Sequence, residues 1–297
     1  MSLVRDVQER GKDAVPRPVR DLVKRGLRTF GVLTAPLRSL PDFLIIGTKR
    51  GGTTSLYNYL LAHPGVAPLF PTPQNLKGVH FFDTNFDRGL AWYRSHFPTM
   101  LARMSSRRAW VVGEASPYYL YHPHAPRRAR RVVPDARLIV LLRDPIERAF
   151  SHYKERVRNG SEPLSFPEAL AAETERLAGE TDRMRQDPAY VSFAHEHQSY
   201  RSPGIYLPQV QAWRSEYPKA QFCVIRSEDM FTDPVSVYRR VLAFLNLPMW
   251  EPPTFRRFNF HPSDDMPAAV REELTTFFAP HNRRLAEFLG MDLAWSG

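Results

Sequence analysis

The chain is almost without cysteine: Cys223, inside the apolar run QFCVI, is the only one in 297 residues. One thiol allows no intrachain disulfide and no cysteine-rich metal site. A reducing compartment is therefore expected, cytoplasmic or at most peripheral to the inner face of a membrane. No apolar run approaches the roughly 20 residues that span a bilayer. The N-terminus is charged throughout and lacks the unbroken apolar stretch of a secretory signal. Internal repeats and low-complexity tracts are missing as well. Acidic residues are in deficit, 31 Asp and Glu against 41 Lys and Arg, for a formal charge of +10. That balance suits an anionic small molecule, a nucleic acid or an acidic membrane, and does not choose among them.

What is present organises into two parts. Residues 1–40 read as a basic amphipathic arm and residues 41–297 as one large domain. Between Pro18 and Pro36, the residues Val19, Leu22, Val23, Leu27, Phe30 and Leu33 recur at helical intervals, with Arg20, Lys24, Arg25 and Arg28 mostly opposite. Gly26 and Gly31 weaken an isolated helix, so its apolar side is expected to pack on the domain; resting on anionic lipid is the alternative. Beyond it, strands are predicted at Phe43–Ile46, Arg137–Leu142 and Gln221–Arg226. Helices are predicted from Leu56 to Pro64, over Pro126–Val133 and Pro145–Asn159, from Ser165, over Val235–Leu245 and over Pro267–Leu289. Asp144 caps the helix at Pro145, and Glu147 completes a capping-box pattern. Strands alternating with helices imply an α/β fold: a P-loop-like, three-layer α/β/α arrangement around a central, mainly parallel sheet.

The most informative segment is DFLIIGTKRGGTTSLYNYL, Asp42 to Leu60. An apolar strand enters a glycine-bracketed turn that opens directly into a helix, the arrangement by which backbone N–H groups grip phosphate. Gly47, Gly51 and Gly52 let the chain approach an anion closely. Thr53, Thr54 and Ser55 add hydroxyls, and Lys49 and Arg50 add charge. A Walker A motif needs Lys directly after the second glycine, but that slot holds Thr53.

A second informative run, RLIVLLRDPIERAFSHY, ends its strand in Arg143. A Walker-type nucleotidase would typically place a metal-holding carboxylate there. A guanidinium binds phosphate directly instead, and Ser151, two turns into the next helix, can serve the same anion.

Together the two runs carry a family resemblance. GTKRGGTTS resembles the 5′-phosphosulfate loop, and RDPIERAFSHY the 3′-phosphate motif, of sulfotransferases that use 3′-phosphoadenosine 5′-phosphosulfate (PAPS) and release adenosine 3′,5′-bisphosphate. LKGVHFFD, GLAWYRSHFP, GEASPYYL, LSFPEAL, the PGIY segment and FFAPHNRRLAEFLG extend the likeness to heparan-sulfate-type sulfotransferase domains and their bacterial relatives. It runs from about Pro41 to the C-terminus and leaves the arm out. The resemblance implies transfer of a sulfuryl group to a hydroxyl, or less readily an amine, of a carbohydrate, glycolipid or small natural product, with no metal required. Lys49, Arg50, Gly51, Gly52, Thr53, Thr54 and Ser55 would hold the 5′ side, and Arg143 and Ser151 the 3′-phosphate. Arg50 stands where many relatives carry a catalytic lysine; its very high pKa suits it to charge stabilisation rather than proton donation. Lys77 would help neutralise sulfate. The family carboxylate before Val-His-Phe-Phe is replaced by Gly78, which leaves His80 as the first candidate base and Glu114 as the second. Ala115 stands where relatives often have lysine, and Arg256 and Arg257 are candidate 3′-phosphate contacts only.

Other features are expected to be structural. His122 with His124, and His195 with His197, lack further ligands for a metal site. Arg127, Arg128, Arg130 and Arg131 read as an exposed helix face. The polar, acidic segment Ser161–Tyr200 is expected to border the acceptor cleft. Two rival functions remain, a P-loop kinase using ATP and a non-enzymatic basic protein binding nucleic acid or membrane. Thr53 and Arg143 argue against the kinase, and no recognised nucleic-acid module supports the other, so no nucleic-acid partner is expected. The motifs carry nothing about oligomeric state.

Overall fold

The computed structural model describes residues 17–71, 77–105, 111–258 and 266–295. Five strands, β1 (Phe43–Gly47), β2 (Val66–Ala67), β3 (Val111–Ala115), β4 (Arg137–Leu142) and β5 (Phe222–Arg226), form one sheet in the order β2-β3-β1-β4-β5. Every pairing is parallel. The helices follow in chain order as α1 (Arg17–Leu33), α2 (Thr53–Ala62), α3 (Gly89–Arg94), α4 (Met100–Ser105), α5 (Ala125–Val132), α6 (Pro145–Arg158) and α7 (Phe166–Leu177). Then come α8 (Glu180–Gln186), α9 (Phe193–His197), α10 (Tyr206–Glu216), α11 (Ser227–Thr232), α12 (Pro234–Phe244) and α13 (Ala268–Leu289).

Because successive strand side chains alternate, each central strand feeds two cores. Phe43 and Ile45 of β1, with Ile139 and Leu141 of β4, pack under Leu56 and Leu60 of α2 and Tyr238 and Val241 of α12. Leu44 and Ile46, with Leu138, Val140 and Leu142, face Ala129 of α5, Val210 and Trp213 of α10 and Leu285 of α13. Helices on both faces make the molecule a three-layer α/β/α fold. All five residues of β1 are buried, as a strand at the centre of such a sheet must be.

Two strands went unforeseen. β2 has only two residues, and the apolar pattern of β3 is broken by Gly113 and Glu114. Both breaks have tertiary causes. A Cβ on Gly113 would lie 2.5 Å from the Phe43 ring, and the Glu114 carboxylate is consumed by buried donors described below.

Three local expectations are corrected. Asp144 caps α6, accepting from Ile146 N at 2.8 Å, but Glu147 does not close a capping box. The Asp144 N–H donates to Glu228 instead, and Glu147 reaches outward to Arg271. Most of the described apolar side of α1 does not pack on the domain, although the Phe30 ring meets that of Phe70 at 6.4 Å between centroids. Leu22, Val23, Phe30 and Leu33 are each more than half exposed. The helix docks by its other edge, where Arg28 donates to Ser95 Oγ at 2.9 Å and Gly31 admits the Ser95 backbone. Finally, Arg128 is buried rather than part of an exposed basic face: it donates to the carbonyls of Phe82, Asp83 and Pro188.

Gly113→Ala should cost about 1–3 kcal/mol through overpacking against Phe43. A urea unfolding midpoint that falls below wild type checks it. Gly26→Ala, with nothing within 4 Å of the new methyl, should leave that midpoint at or above wild type.

Candidate active site

In an open parallel sheet, ligands bind outside the carboxyl ends of the strands where the strand order reverses. Here the chain leaves β1 toward β2 and β3 on one side, then crosses to β4 and β5 on the other. The crevice at the ends of β1 and β4 is therefore the switch point of the sheet. The loop Thr48–Gly52 turns there through two left-handed residues, Arg50 (φ 69°) and Gly52 (φ 89°). At Gly52 a Cβ would meet the Met230 methyl at 2.6 Å and the Phe231 ring at 2.8 Å, so only glycine fits without a shift. Thr48 N donates to Leu141 O at 2.8 Å, and Ser227 Oγ to Gly51 O at 2.7 Å, fixing the loop between β4 and α11. Helix α2 begins with no side-chain cap, leaving its positive end facing the crevice.

The structure brings both sequence motifs into this crevice. Arg143 Nη1 donates to the Arg50 carbonyl at 3.0 Å, and Arg50 Nε donates to Ser151 Oγ at 3.0 Å. Arg50 also lies 3.4 Å from Glu155 of α6. Lys77 Nζ donates to Thr54 Oγ1 at 2.9 Å and approaches Thr53 Oγ1 at 3.4 Å, so its charge sits over the start of α2. Ser55 is turned inward, fully buried, and accepts from Phe258 N at 3.0 Å. The adjoining Arg256 accepts through its carbonyl from Tyr59, and Arg257 lies 4.2 Å over the Phe231 ring. That segment thus flanks α2, while Asn259 to Pro262 of the same aromatic run, like Trp110, lie outside the described residues.

Lys49 does not accompany Arg50. It reaches the other way, to the carbonyl and carboxylate of Glu196 on α9, at 2.9 and 3.0 Å. Burial lowers its pKa, against the pull of Glu196. Burial likewise lowers Lys77 to about 8; Glu155 opposes this while Arg50 and Lys49 add to it. Crowding several partly desolvated cations at one helix N-terminus is unfavourable until an anion arrives.

The two candidate bases differ sharply. Glu114 is fully buried, and its carboxylate accepts from Val79 N, Ser116 Oγ, Tyr93 OH and Tyr119 OH at 2.6 to 2.9 Å. Burial raises its pKa although all four bonds oppose the shift. A sealed, saturated carboxylate has no route to an acceptor proton, so the expectation of Glu114 as a base is corrected to that of an anchor for the loop before His80. His80 stays partly open. Its backbone N–H donates to Ser116 Oγ, its φ is 52°, and its Nδ1 shares a 2.8 Å hydrogen bond with buried Asp83. Burial alone would lower its pKa, but Asp83, with Glu114 and Glu196 behind it, raises it overall. Gly78 could carry no side chain here, since a Cβ would lie 2.4 Å from Ala115 O.

The paired histidines are engaged elsewhere: His124 with Met184 O, His195 with Tyr118 OH and stacked on Tyr121, His197 with Arg156. Sequence reading missed Asp83, Glu155 and Glu196. Asp83, three residues after His80, and Glu155, one turn after Ser151, carried a local spacing signal. Glu196 lies 147 residues from Lys49 and carried none.

Comparison with known proteins agrees with this geometry. A family model described as the sulfotransferase family matches residues 41–252. The crystal structure of a sulfotransferase from Alicyclobacillus acidocaldarius is 34% identical, covers 86% of this chain and 98% of its own, and superposes with a TM-score of 0.62. The mouse heparan sulfate glucosamine 3-O-sulfotransferase 6 is 29% identical over 87% of this chain and 74% of its own. A further relative, the membrane-associated sulfotransferase kil1 of Dictyostelium discoideum, is 25% identical over 87% of this chain and 67% of its own. That relative overturns the expected cytoplasmic placement: one buried cysteine does not determine a compartment. Among the described residues no helix is long and apolar enough to cross a membrane. With more than two thirds of its length matched by the family model, and with its glycine loop and Arg143 meeting in one crevice, the chain belongs to the sulfotransferase family and is a sulfotransferase enzyme.

Proposed function

We propose that the sulfuryl donor is PAPS and the acceptor a carbohydrate hydroxyl. The observation that carries the donor reading is the hydrogen bond from Arg143 to the Arg50 carbonyl, which puts two anion-binding motifs within reach of one nucleotide. The donor set fits a ligand with anionic groups at two positions. The glycine loop, the N-terminus of α2, Thr53, Thr54, Lys77 and Arg50 take the 5′ phosphosulfate, and Arg143 with Ser151 takes the 3′-phosphate. Both phosphates require only hydrogen-bond donors and positive charge, and these residues supply them. On this reading a ligand phosphate takes over the Ser151 hydroxyl, now bonded to Arg50.

In the reaction the acceptor oxygen attacks sulfur as the bond from sulfur to the bridging phosphate oxygen breaks. Adenosine 3′,5′-bisphosphate leaves with that electron pair, Arg50 and Lys77 stabilise the developing charge, and the acceptor proton passes to the ring of His80. Asp83 holds the ring and favours the proton once it arrives. A carbohydrate acceptor is supported by the relative named for glucosamine 3-O-sulfation and by the chain's cationic excess; a glycolipid or small natural product would use the same oxygen chemistry. Sulfotransferase membership displaces the kinase and non-enzymatic readings.

Calorimetry in EDTA should show adenosine 3′,5′-bisphosphate binding, and Arg143→Ala should weaken it about 10- to 100-fold, the loss of a charge-assisted hydrogen bond. Tight ATP–Mg²⁺ binding with indifference to the bisphosphate would reverse the donor assignment.

His80→Gln should lower the rate of PAPS-dependent transfer about 10²- to 10⁴-fold. Because Asp83 raises the His80 pKa, Asp83→Asn should move the acid limb of the pH–rate profile to lower pH. An unmoved limb would remove His80 from the role of base.

The exposed row on α1, beside exposed Arg25, offers an anionic lipid surface both apolar and cationic contacts. Co-sedimentation with phosphatidylglycerol vesicles in preference to phosphatidylcholine, lost in Leu22→Glu/Leu33→Glu, is the expected result.

A further inference from the structure

Lys49 and Arg50 are neighbours in sequence, yet they leave the loop in opposite directions. Arg50, in its left-handed conformation, turns to Ser151 and Glu155 on α6. Lys49 turns to α9, at the end of the acidic segment 161–200. There it donates to both the carbonyl and the carboxylate of Glu196 and lies 4.6 Å over the ring of Tyr118. Tyr118 is itself held by His195, so the lysine is gripped on two sides by elements outside its own loop. The cavity beside it is lined by Thr48, Tyr118, His152, His195 and Glu196.

We infer that Glu196 is a positioning residue: it holds the Lys49 ammonium away from Arg50, on the side of the crevice where His80 stands. This rests on the sulfuryl-transfer reading above and adds to it a division of labour between two adjacent cations. Arg50 faces the donor motifs, and Lys49 faces the place where the acceptor and its sulfuryl group meet.

The groups around Lys49 come from every element packed against it. They are Glu196, His195 and His197 of α9, His152 and Arg156 of α6, Asp83 and His80 of the loop after Gly78, Tyr118 after β3, and Lys77. Most are cationic or neutral. Glu196 alone among them bonds directly to the lysine, and it opposes the burial that lowers the lysine's pKa. Without that carboxylate the ammonium keeps the Glu196 carbonyl and the Tyr118 face but loses part of its direction and part of its hold on the proton.

The test uses the full chain with lysine labelled at ¹³Cε, the Lys49 resonance being assigned by its loss in Lys49→Met. In Glu196→Gln the Lys49 titration midpoint should fall by about one pH unit or more. PAPS turnover, read as bisphosphate release, should drop about tenfold or more. Glu196→Asp should restore much of both, and the thermal midpoint and the bisphosphate affinity should stay within about threefold or a few degrees of wild type. In a double-mutant cycle, Glu196→Gln should add little to the loss already caused by Lys49→Met.

An unshifted Lys49 midpoint in Glu196→Gln would overturn the inference. So would a turnover loss that is undiminished in the Lys49→Met background, or one that only tracks lost thermal stability. A wild-type chain that binds the bisphosphate and consumes PAPS while failing these tests sinks this role alone. A wild-type chain indifferent to both nucleotides sinks the donor reading and this role with it.

Discussion

One hydrogen bond organises the crevice: Arg143, at the end of β4, donates to the backbone carbonyl of Arg50 in the loop after β1. It couples two strands that are neighbours in the sheet but lie in distant parts of the chain. It also holds a guanidinium against the loop that leads into α2. The strands can deliver these groups reproducibly because both are buried on their two faces, so neither can slide without forcing the side chains fitted to one core into the other. The loop between them needs its glycines for the same reason: the strands, Met230 and Phe231 leave no room for side chains at the turn.

Around that coupling the molecule gathers positive charge and then restrains it. Arg50 is met by Glu155 and Lys49 by Glu196, each carboxylate reaching in from a helix that is not part of the loop. Burial lowers the pKa of Lys49, Arg50 and Lys77 alike, outweighing the carboxylates that oppose it, the mark of cations held in a place short of water. A ligand carrying several anionic oxygens relieves that cost. His80 shows the opposite balance: Asp83 and the carboxylates behind it outweigh burial and make it ready to take up a proton.

Much of this was legible locally. The glycine loop, the displaced Walker lysine, the arginine ending β4 and the Asp144 cap are short-range signals, read from residues within one or two turns of each other. The failures share a cause as well. Glu147 fitted a capping-box spacing, but Glu228, from beyond β5, took its partner first. Arg128 fitted an exposed basic run, yet three carbonyls brought up by distant segments claim it. The apolar stripe on α1 promised burial, but close docking at Ser95 selects the edge carrying Gly31 and Arg28. Glu114 had the chemistry of a base and was sealed by Tyr93 and Tyr119.

From sequence alone came the layered α/β architecture, the glycine-rich and arginine-ended runs that meet in the crevice, and the family they resemble. Strand hydrophobicity, glycine placement and capping chemistry act over a few residues and need no partner to be read. Which carboxylate meets which cation was decided only by the tertiary structure. Glu196 reaches Lys49 across 147 residues, Glu155 takes Arg50, and Glu114 is withdrawn from the crevice, because packing of whole helices against the sheet sets those distances. Electrostatic roles depend on proximity and burial together, and neither quantity exists before the chain has folded.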